Sequence, residues 1–277
     1  MTPRRLTALR LIATIIPAAG CALAAFSCAR DESMRDTPPR APATQGEPGA
    51  VEPAQADATE PANTGFPHIR FVGRTIEIDG VVPIDCHHPD TPHVFLEVVA
   101  CAPDTREHEA LVMTRAKPSH IHAALLTRNL AAGSPGSWIW NGPGSDITYN
   151  EPSGDEVEVF LRFEGPGGFF DVRPVREWIV DRDSGAMLPD EPFTFAGSRF
   201  VQFRGAEVYD ADYAGNIIGL ATFGNEVIAW TEVFSPNSEI DEPRWIANRD
   251  VVPPYGTPVT IILRPVRAES GQSILMR

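Results

Sequence analysis

The chain has 277 residues, a length that suits one or two domains, and its 43% hydrophobic and 22% charged content is ordinary for a globular protein. Its 27 prolines and 22 glycines argue against a helical bundle and for strands joined by turns. With 37 acidic against 23 basic residues the net charge is −14, which repels polyphosphate and anionic membrane surfaces, so no nucleic-acid partner is expected.

In chain order, Arg4, Arg5 and Arg10 precede an apolar run from Leu11 to Phe26 that is interrupted by Pro17 and bounded by small residues. That is the layout of a secretory signal. The run falls short of the roughly 18 to 20 apolar residues a spanning helix needs, and Arg30, Asp31 and Glu32 follow it. Cys21 in Ala-Ala-Gly-Cys and Cys28 in Ala-Phe-Ser-Cys each resemble the lipobox of bacterial lipoproteins. Small preceding residues favour Cys21; the onset of polarity favours Cys28. Residues 1–27 are therefore read as a signal peptide, cleaved before Cys21 or Cys28, with the new N-terminal cysteine lipidated. Removing Arg4, Arg5 and Arg10 with the signal takes the charge from −14 to −17.

Residues 28–65 read as a disordered tether. From Ala29 to Gly65 there is no Leu, Ile or aromatic residue, and six prolines stand between Pro38 and Pro61, so nothing there can build a core. As a coil it would reach roughly 30 to 40 Å.

The globular part is read as residues 66–277, a single β-rich α+β domain of antiparallel strands with one or two short helices. Alternating residues 68–72 and 75–78 around Gly73-Arg74 predict an opening hairpin. Further strands are expected over residues 94–99, 110–114, 157–163, 193–196, 216–223, 227–233 and 259–264, separated by Gly, Pro, Asn and Asp. Pro118 near a first turn, the stripe Ile121, Ala124, Leu125 and Leu126, and Gly133 beyond its end predict a helix over 118–130. The run 175–180 suits a short helix or a strand equally.

Several segments together resemble a known family. Leu96-Glu97-Val98-Val99-Ala100-Cys101, Arg106-Glu107-His108-Glu109-Ala110-Leu111 and Ile121-His122-Ala123-Ala124-Leu125-Leu126 are similar in order and gap to the YdjY-type domain of bacterial envelope proteins. Phe193-Thr194-Phe195-Ala196-Gly197-Ser198, Asp210 to Ile218, and Trp245 leading into Val252-Pro253-Pro254-Tyr255-Gly256 extend the likeness over residues 67–267. The resemblance implies an envelope location and one domain. It brings no reaction and no catalytic residue.

All seven histidines lie between His68 and His122, in the region that also holds Cys86 and Cys101. Imidazole and thiolate bind zinc or copper, so His108, His122 and Cys101 form a candidate metal set, with Glu107 or Glu109 as a candidate general base for a bound water. Two constraints limit it: His120 and His122 point to nearly opposite sides of a helix, and in an extended segment Glu107 and Glu109 would face away from His108. The competing reading makes His108 and His122 hydrogen-bonding residues at a strand-to-helix junction. Cys86 and Cys101 suit a disulfide in an oxidising compartment. A straight hairpin between them would hold them about 25 Å apart, whereas a bridge needs Cα atoms within about 7 Å, so hairpin and bridge exclude each other. Ser198 lies in no Gly-x-Ser-x-Gly motif. Asp210, Asp212 and Asn216 suit a turn better than a calcium loop, and Trp138 and Trp140 would share one strand face.

The sequence thus supports a non-catalytic envelope domain, lipid-anchored to a membrane, that binds a partner protein, a cell-wall component or a metal. The alternative is a metal-dependent enzyme built on His108 and His122.

Overall fold

The computed structural model describes residues 62–91 and 93–266. The signal segment, with Cys21 and Cys28, and most of the proposed tether lie outside the described residues. The last tether residues are within them: Ala62–Asn63 pairs with Phe71 and Arg70, and Thr64 Oγ1 donates to the Ile69 carbonyl at 2.8 Å. Backbone pairing requires no apolar side chain, which is why composition placed this boundary a few residues late.

Eight strands close a barrel. In chain order the relevant elements are β1 (Ile69–Val72), β2 (Thr75–Val81), β3 (Val98–Cys101), β4 (Ala110–Met113), β5 (Glu156–Glu164), β6 (Phe170–Pro174), β7 (Phe193–Thr194), β8 (Asn216–Gly219), β9 (Ile228–Ala229) and β10 (Pro258–Pro265). The circuit runs β2-β10-β5-β7-β9-β8-β3-β4 and returns to β2 through Val81 opposite Met113. β1 is a flap on β2, and β6 a flap on β5. Pairing is antiparallel except at β3–β4 and β8–β9. The fold is therefore β-rich and mostly antiparallel, and a barrel is a more definite architecture than the α+β arrangement expected.

Alternation sets what faces inward. Ile76 and Ile78 on β2, Val157, Val159 and Leu161 on β5, and Ile261 and Leu263 on β10 join one buried cluster. The closing seam is tight, because a Cβ on Gly80 would lie 2.4 Å from Val112 Cγ1.

The helix α1 (Pro118–Thr127) adds Ile121, Ala124 and Leu125 to the same cluster. It ends three residues earlier than expected, where Asn129 takes φ 62° and reverses the chain. Its first turn is held from another element: Asp212, on the short helix α2 (Asp210–Ala214), accepts from Ser119 N at 2.8 Å and pairs with Lys117 at 3.0 Å. The ambiguous run 175–180 is both things in turn, a 3₁₀ helix at Val175–Trp178 and a strand at Ile179–Asp181. No helix among the described residues is long and apolar enough to cross a membrane.

On the outer face, Glu77 is buried and bound bidentately by Arg162, both contacts at 2.8 Å, with Arg70 at 3.6 Å. Since β10 lies between β2 and β5, this pair spans three strands. Replacing Glu77 by alanine leaves the Arg162 guanidinium without its carboxylate, while Arg70 keeps Asp79 at 2.7 Å. The expected loss is about 2 to 3 kcal/mol of unfolding free energy, below the full value for a buried pair because Arg162 is partly solvated; urea denaturation measures it.

Candidate functional site

β3 and β4 run parallel, so the chain crosses over between them through residues 102–109. The crossover ends in a 3₁₀ turn, Glu107–Glu109. Glu97, just before β3, donates its N–H to the Glu109 carbonyl at 3.1 Å, and its own carbonyl accepts from Leu220 at 3.0 Å and Ala221 at 2.8 Å. Backbone bonds thus fix Glu97 between the crossover and the segment after β8. Its carboxyl lines the same cavity as that of Glu109 and lies 3.4 Å from Arg106 Nη1. Burial is the main reason the Glu97 carboxyl is pushed up to about 7, with the hydrogen bond and charge of Glu109 adding to it and Arg106 opposing.

Arg106 is itself fixed. Its guanidinium lies 4.0 Å over the Phe223 ring, and its Nε donates to Asn216 Oδ1 at 3.2 Å. Asn216, buried at the start of β8, donates to Asn225 Oδ1 at 2.7 Å. Below them Glu226 is fully buried and accepts the backbone N–H groups of Phe223, Gly224 and Asn225. Burial pushes its carboxyl up while those three N–H groups pull it down. Gly219 is required here, because a Cβ would lie 2.4 Å from Glu226 Cγ.

The carboxyl pair opens on a cavity of about 180 Å³, lined also by Phe95, Phe234, Asp241 and Arg244. Asp241 accepts from Ser235 N at 2.7 Å and from the Tyr149 hydroxyl at 3.4 Å. Arg244 spends its charge on Asp181 at 2.6 Å and Glu232 at 3.7 Å. Carboxylates therefore dominate the cavity, and a positively charged group is the natural occupant.

The residues expected from sequence are placed apart. His108 is 76% exposed, and its contact is Glu109 at 3.6 Å. His122, on α1, turns the other way: its Nδ1 is 3.1 Å from the Gly197 carbonyl and 2.9 Å from the Tyr209 hydroxyl, and burial lowers its pKa. Cys101 is fully buried, and burial pushes its thiol up to about 11. Glu107 caps its own turn by accepting from Asp104 N and Thr105 N. Among the described residues no three His, Cys, Asp or Glu side chains gather as a metal site. The extended geometry expected for 107–109 gives way to a 3₁₀ turn because parallel strands cannot be joined by a hairpin.

Cys86 and Cys101 are both free and buried. The hairpin that would have kept them apart is not formed either, since β3 pairs with β4 and β8. Ser198 Oγ donates to the Asn225 carbonyl at 2.7 Å and accepts from Ala211 N at 3.2 Å, which leaves it in a structural role. Trp138 is tied to the Thr222 carbonyl at 3.0 Å. Glu97 and Asp241 were not singled out by sequence, although Glu97 interrupts the apolar run 95–99, a signal that a buried strand carries a polar residue for a reason.

A carboxyl raised in the folded state stabilises fully below its unfolded value near 4.3, and that stability is lost as pH rises through the folded value of about 7. Wild-type unfolding free energy relative to a Glu97→Gln variant, which removes the ionisation, should therefore fall between pH 4.5 and 7.5. Urea denaturation across that range checks it, and a constant difference would show that Glu97 ionises as freely as in the unfolded chain.

No curated protein and no solved structure matches this chain. The YdjY domain family matches residues 72–264, from the end of β1 to the last residues of β10 and including every residue of the Glu97 site. That span is well over half of the sequence, and the chain belongs to the YdjY domain family.

Proposed function

We propose that this domain is a non-catalytic binding module of the cell envelope, held outside the cytoplasm by a lipid anchor at Cys21 or Cys28. It receives an ammonium or guanidinium group of an envelope protein or cell-wall component at Glu97 and Glu109. The observation that carries this reading is the gathering of Glu97, Glu109 and Asp241 on one cavity, with the Glu97 carboxyl raised by burial and with the one lining arginine, Arg244, committed to Asp181. A cation entering there replaces the proton and regains the charge–charge energy that burial withholds. The metal-enzyme alternative has no comparable convergence behind it, because His108, His122 and Cys101 each hold other partners.

Amide NMR during titration with N-acetyl-lysine amide, against N-acetyl-norleucine amide of similar shape, tests the binding reading. The lysine probe should perturb residues 97 and 109 at pH 8 and bind about tenfold or more weakly at pH 5, where the proton competes. Equal perturbation by norleucine, or no pH dependence, would sink it. The anchor is tested separately by fatty-acid labelling in a bacterial host: one of Cys21→Ala and Cys28→Ala should abolish the label, and an unlabelled parent chain rejects lipidation.

A further inference from the structure

We infer that a second cavity, beside β5 and separate from the Glu97 site, docks a short peptide segment of a partner protein that carries apolar side chains and one Lys or Arg. The cavity measures about 330 Å³, at the small end of ligand sites. Its floor is Val159, Val175, Leu188, Phe193 and Trp230, each under 5% exposed. The Phe193 and Trp230 ring centroids lie 4.9 Å apart with the planes inclined at 60°, which gives the floor an aromatic corner. Such a floor takes an aliphatic or aromatic side chain.

The rim is acidic. Glu156, Glu158, Asp190 and Glu191 line it against one basic side chain, Arg176. Arg176 is neutralised by Asp190 at 3.0 Å, and Glu158 is met by Arg264 at 3.4 Å from outside the cavity. Among the described residues Glu156 and Glu191 have no basic partner within ion-pair distance. Two carboxylates at the edge of an apolar floor favour a ligand with a cation beside its apolar group.

A peptide segment supplies both complements at once: an apolar side chain for the floor and a basic side chain for Glu156 and Glu191.

The test is titration of ¹⁵N-labelled protein with acetyl-Leu-Arg-Leu-amide and acetyl-Leu-Glu-Leu-amide, read at the five indole N–H signals and assigned with Trp230→Phe. The arginine peptide is expected to shift the Trp230 signal with a Kd of about 1 mM or tighter, and the glutamate peptide to bind at least tenfold more weakly. Glu156→Lys with Glu191→Lys, two changes at the rim, should weaken the arginine peptide about tenfold at an unchanged melting temperature. Equal binding of the two peptides, or no effect of the rim reversal, overturns the proposal, and the rim variants decide the matter even if Trp230→Phe does not fold. Binding of the arginine peptide only after residues 267–277 are removed also overturns it, because the cavity would then be closed to a partner in the full chain.

Discussion

The parallel pairing of β3 with β4 is the constraint on which the site depends. Val98 faces Ala110, and Cys101 faces Met113. Two parallel neighbours cannot share a hairpin, so the chain must travel back along the barrel wall before β4 begins. Residues 102–109 make that return and fold into a 3₁₀ turn at its end. Arg106 and Glu109 are thereby set beside Glu97, a residue about ten positions earlier, in backbone register as well as through side chains. The same crossover holds Thr105 against Gly215, where a Cβ would lie 2.4 Å from the threonine side chain, so it is locked to the end of α2. The barrel closes and the carboxyl pair forms by one topological event.

Around that pair the polar groups are unusually well tied. Arg106 reaches Asn216, Asn216 reaches Asn225, and Glu226 gathers three backbone N–H groups from the loop that carries Asn225. A buried polar network satisfied at every member makes the geometry rigid. Glu97 and Glu109 are the exception. They line the cavity, where Arg106 opposes the charge of Glu97 and His108 lies 3.6 Å from Glu109.

Sequence pattern made much of the scaffold legible and little of the site. The opening hairpin, the long strands β5 and β10 and the body of α1 follow from period and turn residues, which are local signals. The shortened strands β3, β7, β8 and β9 do not, because residues such as Phe95 and Phe223 are apolar yet leave the ladder to line the cavity or to stack on Arg106. The histidine-rich region drew attention to 101–122, and the site does lie partly there. The histidines were the wrong members of it: His108 is in water, and His122 closes onto Gly197 and Tyr209. Asp241 could not be associated with Glu97 from sequence, since no local pattern joins positions more than a hundred residues apart. Free Cys86 and Cys101 illustrate the same limit, because both alternatives posed for them were local geometries, and a barrel circuit decided against each.

A fold selected only for stability would not retain a carboxyl pair of this kind. Glu97 could be glutamine and so remove the cost of holding a charge where burial disfavours it. The pair sits in a chain that is already acidic, at −14, so further carboxylate is not needed for solubility. Nor is it needed for barrel closure, which the backbone ladder of β3 and β4 and the close approach at Gly80 accomplish. A local departure from what stability favours, surrounded by a shell that holds it rigidly, is the physical signature of a functional site. That argument singles out Glu97 and Glu109 over every histidine in the chain.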